Sequence, residues 1–223
     1  MTFQNREEAG RLLVEQLLHY RERAATLILA LPRGGVAVGY QLSLGLHLPL
    51  GVFIVRKLGA PDNPEYALGA IGETGTVYLN PEAKIAYRLS PADIKQLVEA
   101  QQDEIVRRQV LYRQTRRLPV LTGRTVILVD DGIATGSTFL ASVQSIRSLN
   151  PHRLIGAIPV GPIETIREAR AQVDELVVLA TPDPFWAVGN HYADFAQVSD
   201  RAVVEYLNLA EEALRERVQP SSA

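Results

Sequence analysis

Val126-Ile-Leu-Val-Asp-Asp-Gly-Ile-Ala-Thr-Gly-Ser-Thr138 is the stretch on which the fold turns. With Thr125 it opens as the most β-rich run of the chain, four apolar residues long and short enough for a buried strand. Asp130 and Asp131 then emerge at the carboxyl end of that strand. Gly132 to Thr138 follow as a glycine- and hydroxyl-rich turn into a helix, predicted over Gly136–Leu149. A strand apolar on both faces, followed at once by a helix, belongs to a parallel sheet covered on both sides.

Reading outward, the pattern repeats. Residues 5–23 read as an amphipathic helix with Ala9, Leu12, Leu13, Leu17 and Leu18 on one face. Thr26–Leu31 and Leu50–Val55 read as buried strands, with a helix to about Leu46 between them. Arg153–Val160 and Glu175–Ala180 read as two more strands, separated by a helix at Ile163–Ala171. Arg56–Gly75 is rich in Gly, Pro and Asn, with short strands suggested at Tyr66–Ile71 and Thr76–Leu79. Pro91 opens a charged helix to about Arg117, taken as an insertion. Residues 181–200 are irregular and aromatic, Ala202–Arg217 closes as a helix, and Pro220–Ala223 reads as a frayed tail. The expected fold is α/β: a doubly wound, mainly parallel sheet of about five strands, in one domain over 1–223. Its core would span about 24–180 and a small hood about 181–200.

Bulk properties narrow the class. The chain has 223 residues, enough to bury a core without disulfide or metal staples. It has no cysteine, so thiolate chemistry and disulfides are excluded. A net charge of −2 gives no sign of nucleic-acid binding. The N-terminus carries charge where a signal peptide has its apolar core, and no apolar run reaches the ~20 residues of a membrane helix. The expectation is a cytoplasmic chain with neither membrane nor nucleic acid as partner.

The chemistry starts from the same thirteen residues. Gly136 lets the backbone approach an anion closely, and the first N–H groups of the helix join the hydroxyls of Thr135, Ser137 and Thr138 in a phosphate nest. Carboxylates repel phosphate, so Asp130 and Asp131 must face something else. A sugar diol, which donates hydrogen bonds, suits them, as does Mg²⁺ bridging to the sugar. A ligand with a phosphate at one end and a diol in its middle is a ribose 5-phosphate. Two plainer readings stand beside this one: a capped strand–loop–helix, and a Mg²⁺ carboxylate site with Asp130 as phosphohydrolase nucleophile.

This segment resembles the PRPP-binding motif of type I phosphoribosyltransferases. The wider landmarks Leu31-Pro-Arg-Gly-Gly35, Val55-Arg-Lys-Leu-Gly59, Pro184-Phe185 and Tyr192-Ala-Asp-Phe195 resemble an uncharacterised bacterial group within that family. The resemblance implies that Asp130 and Asp131 hold the ribose, that Ala134, Thr135, Gly136, Ser137 and Thr138 hold the 5-phosphate, and that Mg²⁺ is required. It would meet the acidic pair directly or through PRPP and water. It implies PRPP and a small nitrogenous acceptor as substrates, pyrophosphate as leaving group, and a pyrophosphate loop at Arg33, Gly34 and Gly35. A non-proline cis peptide at Pro32–Arg33 or Arg33–Gly34 is part of that expectation. A PRPP- or nucleotide-sensing regulator without turnover is the alternative on the same fold.

Three further segments carry candidate residues. Arg56 and Lys57, two cations at a strand end, suit a pyrophosphate leaving group, and Asp62–Gly75 has the length and hinges of a lid. Asn63-Pro64-Glu65 and Glu73 are polar candidates on it without a role. Thr181–Phe195 looks like the hood of hypoxanthine-guanine phosphoribosyltransferases, where an aromatic residue stacks on the base. Here Phe185 or Trp186 would take that place, with Asp183 close by. No counterpart of that family's purine-reading lysine stands in Ala157–Pro162. His191 reads as structural. The basic cluster Arg107-Arg108, Arg113, Arg116-Arg117 reads first as a solvated face, with contact to a second subunit's site, in a homodimer, or to an anionic acceptor left open.

Overall fold

The computed structural model describes residues 2–60, 62–63, 66–114 and 117–218. In chain order, α1 (Arg6–Leu17) leads through a short 3₁₀ turn to β1 (Thr26–Ala30), α2 (Gly34–Leu46) and β2 (Leu50–Val52). Then come β3 (Val55–Gly59), β4 (Ala67–Gly72) and β5 (Val77–Leu79), followed by α3 (Pro81–Ala86) and α4 (Pro91–Arg113). The second half is β6 (Thr125–Val129), α5 (Ser137–Arg147), β7 (Arg153–Val160), α6 (Ile163–Arg170), β8 (Glu175–Ala180) and α7 (Asp200–Val218).

Five strands form one parallel sheet in the order β2-β1-β6-β7-β8, as expected. Alternate residues divide its two faces. Ile28, Ala30, Ile127, Val129, Ile155 and Ala157 pack toward α1, α2 and α7. Leu27, Leu29, Val126, Leu128, Leu154 and Ile158 pack toward α5 and α6, where Phe139 and Ile146 are fully buried. Local chemistry sets the helix starts. Asn5 accepts from the Glu8 N–H at the head of α1, and Ser90 with Asp93 forms a capping box before Pro91 at the head of α4.

Between residues 50 and 117 the structure has the expected strands near Tyr66–Ile71 and Thr76–Leu79 and the helix from Pro91, but corrects the rest. Leu50–Val55 is not one strand: the chain turns at Phe53-Ile54, and β3 leaves the main sheet. β3, β4 and β5 form a separate antiparallel sheet, so Ala67–Gly72 of the expected lid is ordered strand. The reason is packing. Val55 and Ala70 join the core on the α5 side, while Leu58 and Ile71 join the other core with Ile105 and Tyr112 of α4. α4 ends at Arg113 and is docked onto this sheet and α7. Of the residues named above, Pro61, Pro64, Glu65, Arg116 and Pro220–Ala223 lie outside the described residues.

Candidate active site

Because β1 and β6 are neighbours, the loops that follow them meet at the carboxyl edge of the sheet. The Leu31 N–H donates to the Val129 carbonyl at 2.8 Å. The peptide Pro32–Arg33 is cis, at one of the two bonds expected. Gly34 is dictated by close approach: a Cβ there would fall 1.8 Å from Asp131 Oδ2. The expected pyrophosphate loop and acidic pair are therefore one packed unit.

Within the pair, the Asp131 N–H donates to Asp130 Oδ1 at 2.9 Å. Desolvation, and then the nearby Asp131 charge, push the Asp130 carboxyl well above the ordinary carboxylate range. Asp131 is held differently. Arg6 Nε donates to its Oδ2 at 2.7 Å, and the Tyr192 hydroxyl donates to its backbone carbonyl at 2.6 Å. Burial, and after it the Asp131 charge, push the Tyr192 phenol well above its ordinary range. Sequence reading found both acids and missed Arg6.

The turn after the acids behaves as its composition suggests. Gly136 has φ +74°, the left-handed region that glycine enters without penalty, and α5 starts directly after it. Asp130, Gly132 to Phe139 and Val188 line a cleft of about 190 Å³. Ser137 is buried, Thr135 Oγ1 lies 3.4 Å from Ser137 Oγ, and Thr165 on α6 donates to the Ala134 carbonyl at 2.8 Å. The first turn of α5, which has no side-chain cap, lines this cleft together with the hydroxyl residues Thr135, Ser137 and Thr138.

Arg56 and Lys57 are not loop residues. They are consecutive on β3, so their side chains leave opposite faces of the small sheet. Arg56 Nε reaches Gln101 Oε1 of α4 at 3.1 Å, and burial, followed by repulsion from Arg108, lowers its pKa. Arg33 Nη1 lies 3.9 Å from Asp200 Oδ1, at the head of α7. Asp200 also accepts from Tyr112 at 2.5 Å and Arg107 at 3.0 Å, which ties α4 and α7 to the loop after β1. The cluster on α4 is thus no plain solvated face. Arg107 and Arg108 pair with Glu104, and Arg113 pairs with Glu73, which is 3% exposed. Glu73 is accordingly an internal anchor and not a lid residue.

The hood is stitched to the N-terminus. Phe3 N–H donates to the His191 carbonyl, Ala193 N–H to the Phe3 carbonyl, and Asp194 N–H to the Gln4 carbonyl, all at 2.8–2.9 Å. The Asp183–Pro184 peptide is cis. Phe185 is partly buried and stacks on His191 at 5.1 Å between ring centroids, whereas Trp186 is 79% exposed and Asp183 is exposed. The two aromatic candidates therefore part company: Phe185 packs the hood, and Trp186 presents its ring outward. Among the described residues, no group of three or more His, Cys, Asp or Glu side chains forms a metal cage. No helix among them is long and apolar enough to cross a membrane.

A parallel sheet with an acidic pair and a glycine turn into a helix at its carboxyl edge defines an α/β protein whose candidate site lies at that edge. The phosphoribosyl transferase domain signature matches residues 3–194, and the chain belongs to that family. It is 41% identical over 208 residues to a Mycobacterium tuberculosis protein named "Putative phosphoribosyl transferase", covering 93% of this chain and 47% of the relative. The chain thus spans about half the length of the curated relatives it matches. The crystal structure of TT1426 from Thermus thermophilus is similar at 39% identity and TM-score 0.78, over 93% of this chain and 98% of that one. A hypothetical protein from Neisseria gonorrhoeae, solved with bound ppGpp, shares the fold alone at 11% identity and TM-score 0.50, over 95% and 94% of the two chains.

Proposed function

We propose that this chain transfers the 5-phosphoribosyl group of PRPP to a nitrogenous acceptor and releases pyrophosphate. The observation that carries the reading is the single cleft in which Asp130 and the Gly136–Thr138 turn stand together, with Gly34 of the neighbouring loop packed against Asp131. In this reading the turn holds the 5-phosphate by backbone N–H groups and the hydroxyls of Thr135, Ser137 and Thr138. Asp130 and Asp131 accept hydrogen bonds from the ribose hydroxyls. Arg33, Gly34 and Gly35 face the pyrophosphate, joined by whichever of Arg56 and Lys57 lies on the ligand side of β3.

The donor set fits a Mg²⁺ ion that arrives on the donor better than one caged by the protein. Among the described residues no group of three or more His, Cys, Asp or Glu side chains gathers here, and one of the two adjacent acids is already paired with Arg6. When bound, Mg²⁺ would neutralise charge on the departing pyrophosphate. The residues themselves work by positioning and by electrostatics at an anomeric carbon of oxocarbenium character. A general base is not required of an acceptor nitrogen that is already nucleophilic. Trp186 and Asp183, exposed on the hood, are assigned to the acceptor side.

The test is turnover. PRPP with Mg²⁺ and a panel of nucleobases is expected to release pyrophosphate, and to stop doing so when EDTA is added. Tight PRPP binding without release across the panel would make the chain a sensor. Trapping of a phosphoaspartyl enzyme at Asp130 would replace both readings with a phosphohydrolase.

A further inference from the structure

We infer that Arg6 is a positioning residue of the donor site: it aims Asp131 at the ribose and ties that carboxylate to the hood. The inference rests on the proposed reading of Asp131 as a ribose ligand. Arg6 opens α1 and its side chain is 10% exposed, a depth at which a guanidinium demands a partner. Its Nε donates to Asp131 Oδ2 at 2.7 Å, and its Nη1 donates to the Ala196 carbonyl at 2.9 Å. The guanidinium lies 3.8 Å from the centre of the Phe195 ring, so its remaining face is covered by an aromatic surface.

The place of this contact separates a site role from a general brace. Gly34, in the loop after β1, has no room for a Cβ because the ion pair occupies that space: the atom would lie 1.8 Å from Asp131 Oδ2 and 2.9 Å from Arg6 Nε. Three segments assigned to three parts of the substrate therefore converge on one guanidinium. They are the loop at Gly34, the acidic pair, and the hood at Phe195-Ala196. With one oxygen fixed by Arg6, the Asp131 carboxylate has a set orientation before the donor arrives. A carboxylate that did not have to be ordered on binding holds a sugar hydroxyl more tightly. The planar fork of arginine does this and the point charge of lysine does it less well, because two acceptors must be met at once.

The experiment is a cycle of PRPP–Mg²⁺ affinities measured by calorimetry on the wild-type chain, Arg6→Gln, Arg6→Lys, Asp131→Asn and the Arg6→Gln/Asp131→Asn double variant, with melting curves to establish folding at the assay temperature. Arg6→Gln is expected to weaken PRPP binding about tenfold or more, and Arg6→Lys to recover part of that loss, as a charged but less directional partner. In the Asp131→Asn background, the change at Arg6 should cost less than about twofold further, because its target is gone. If Arg6→Gln does not fold, the Arg6→Lys loss alone carries the test. Unchanged affinity in the folded Arg6 variants, or losses that simply multiply in the double variant, would overturn the inference and leave the transferase reading standing. A wild-type chain that does not bind PRPP at all would remove both.

Discussion

Asp130 and Asp131 are adjacent and chemically identical, yet their surroundings assign them opposite contributions to stability. Asp131 is 15% exposed and neutralises a guanidinium that is 10% exposed. Asp131→Asn leaves that cation without its counter-charge and is expected to cost about 3 kcal/mol, read as an earlier urea midpoint. Asp130 has a raised pKa, so the folded chain binds its proton more tightly than the unfolded chain does. Its contribution is most favourable below the unfolded pKa and declines as pH rises through the folded one. Asp130→Asn removes that decline. It should melt at or above the wild-type temperature, with the difference growing from mildly acid to neutral pH. A variant melting clearly lower at neutral pH would contradict the account. Both acids were legible in the sequence because they stand beside a glycine- and hydroxyl-rich turn whose expected ligand they would repel. Arg6 was not: it stands before Glu7 and Glu8 in the first turn of an amphipathic helix, where a charged residue normally faces water, and its partner is 125 positions away.

At the scale of elements, the main sheet was readable because its central strands β1, β6 and β7 are apolar runs buried on both faces along nearly their whole length. Of the small sheet, β4 and β5 lie where short strands were expected, but β3 and the separate antiparallel pairing were not legible, for the opposite reason. β3 carries Arg56 and Lys57 in its middle, β4 contains Gly69, and their apolar residues are shared between two cores, so no single periodicity survives. Its position depends on contacts that are distant in sequence. Glu73, just after β4, accepts from the Ile54 N–H at 2.9 Å, from Gln109 at 3.1 Å and from Arg113, while Arg113 also donates to the Val52 carbonyl at 2.8 Å. This knot joins α4 to the point where β3 leaves the main sheet. Arg113→Ala strands the buried Glu73 carboxylate and should cost about 3–5 kcal/mol in urea denaturation. Glu73→Gln/Arg113→Met, which removes both charges, should be much closer to wild type. Equal losses in the two variants would show that the charge pair is not what fixes α4. At the head of α7, Tyr112 is pushed up to about 12, by burial first and then by its hydrogen bond to Asp200, so this second link keeps its proton through the neutral range.

For the whole molecule, the order of the strands sets which loops meet at the candidate site. β1 lies beside β6, so the loop at Gly34 and the acidic pair share one edge, and the hood that follows β8 folds back onto that edge, where Tyr192 bonds the Asp131 carbonyl and Val188 lines the Asp130 cleft. The hood returns to the N-terminus through Phe3 and Gln4, so the first and last parts of the matched domain close on each other. That arrangement separates residues that hold the hood from residues that it offers. Phe185 is packed against His191 and the cluster of Phe3 and Tyr192, and Phe185→Ala should lower stability by cavity formation. Trp186 is 79% exposed, and its truncation to Ala should leave the melting temperature within the scatter of surface substitutions, about 0.5 kcal/mol. If its ring stacks on the acceptor, Trp186→Ala forfeits about 1–3 kcal/mol of acceptor binding, seen as a raised acceptor KM. The PRPP dissociation constant should not move, because Trp186 is not among the residues lining the Asp130 cleft. An unchanged acceptor KM would take Trp186 out of the acceptor site, and a weakened PRPP affinity would mean that the hood closes over the donor as well.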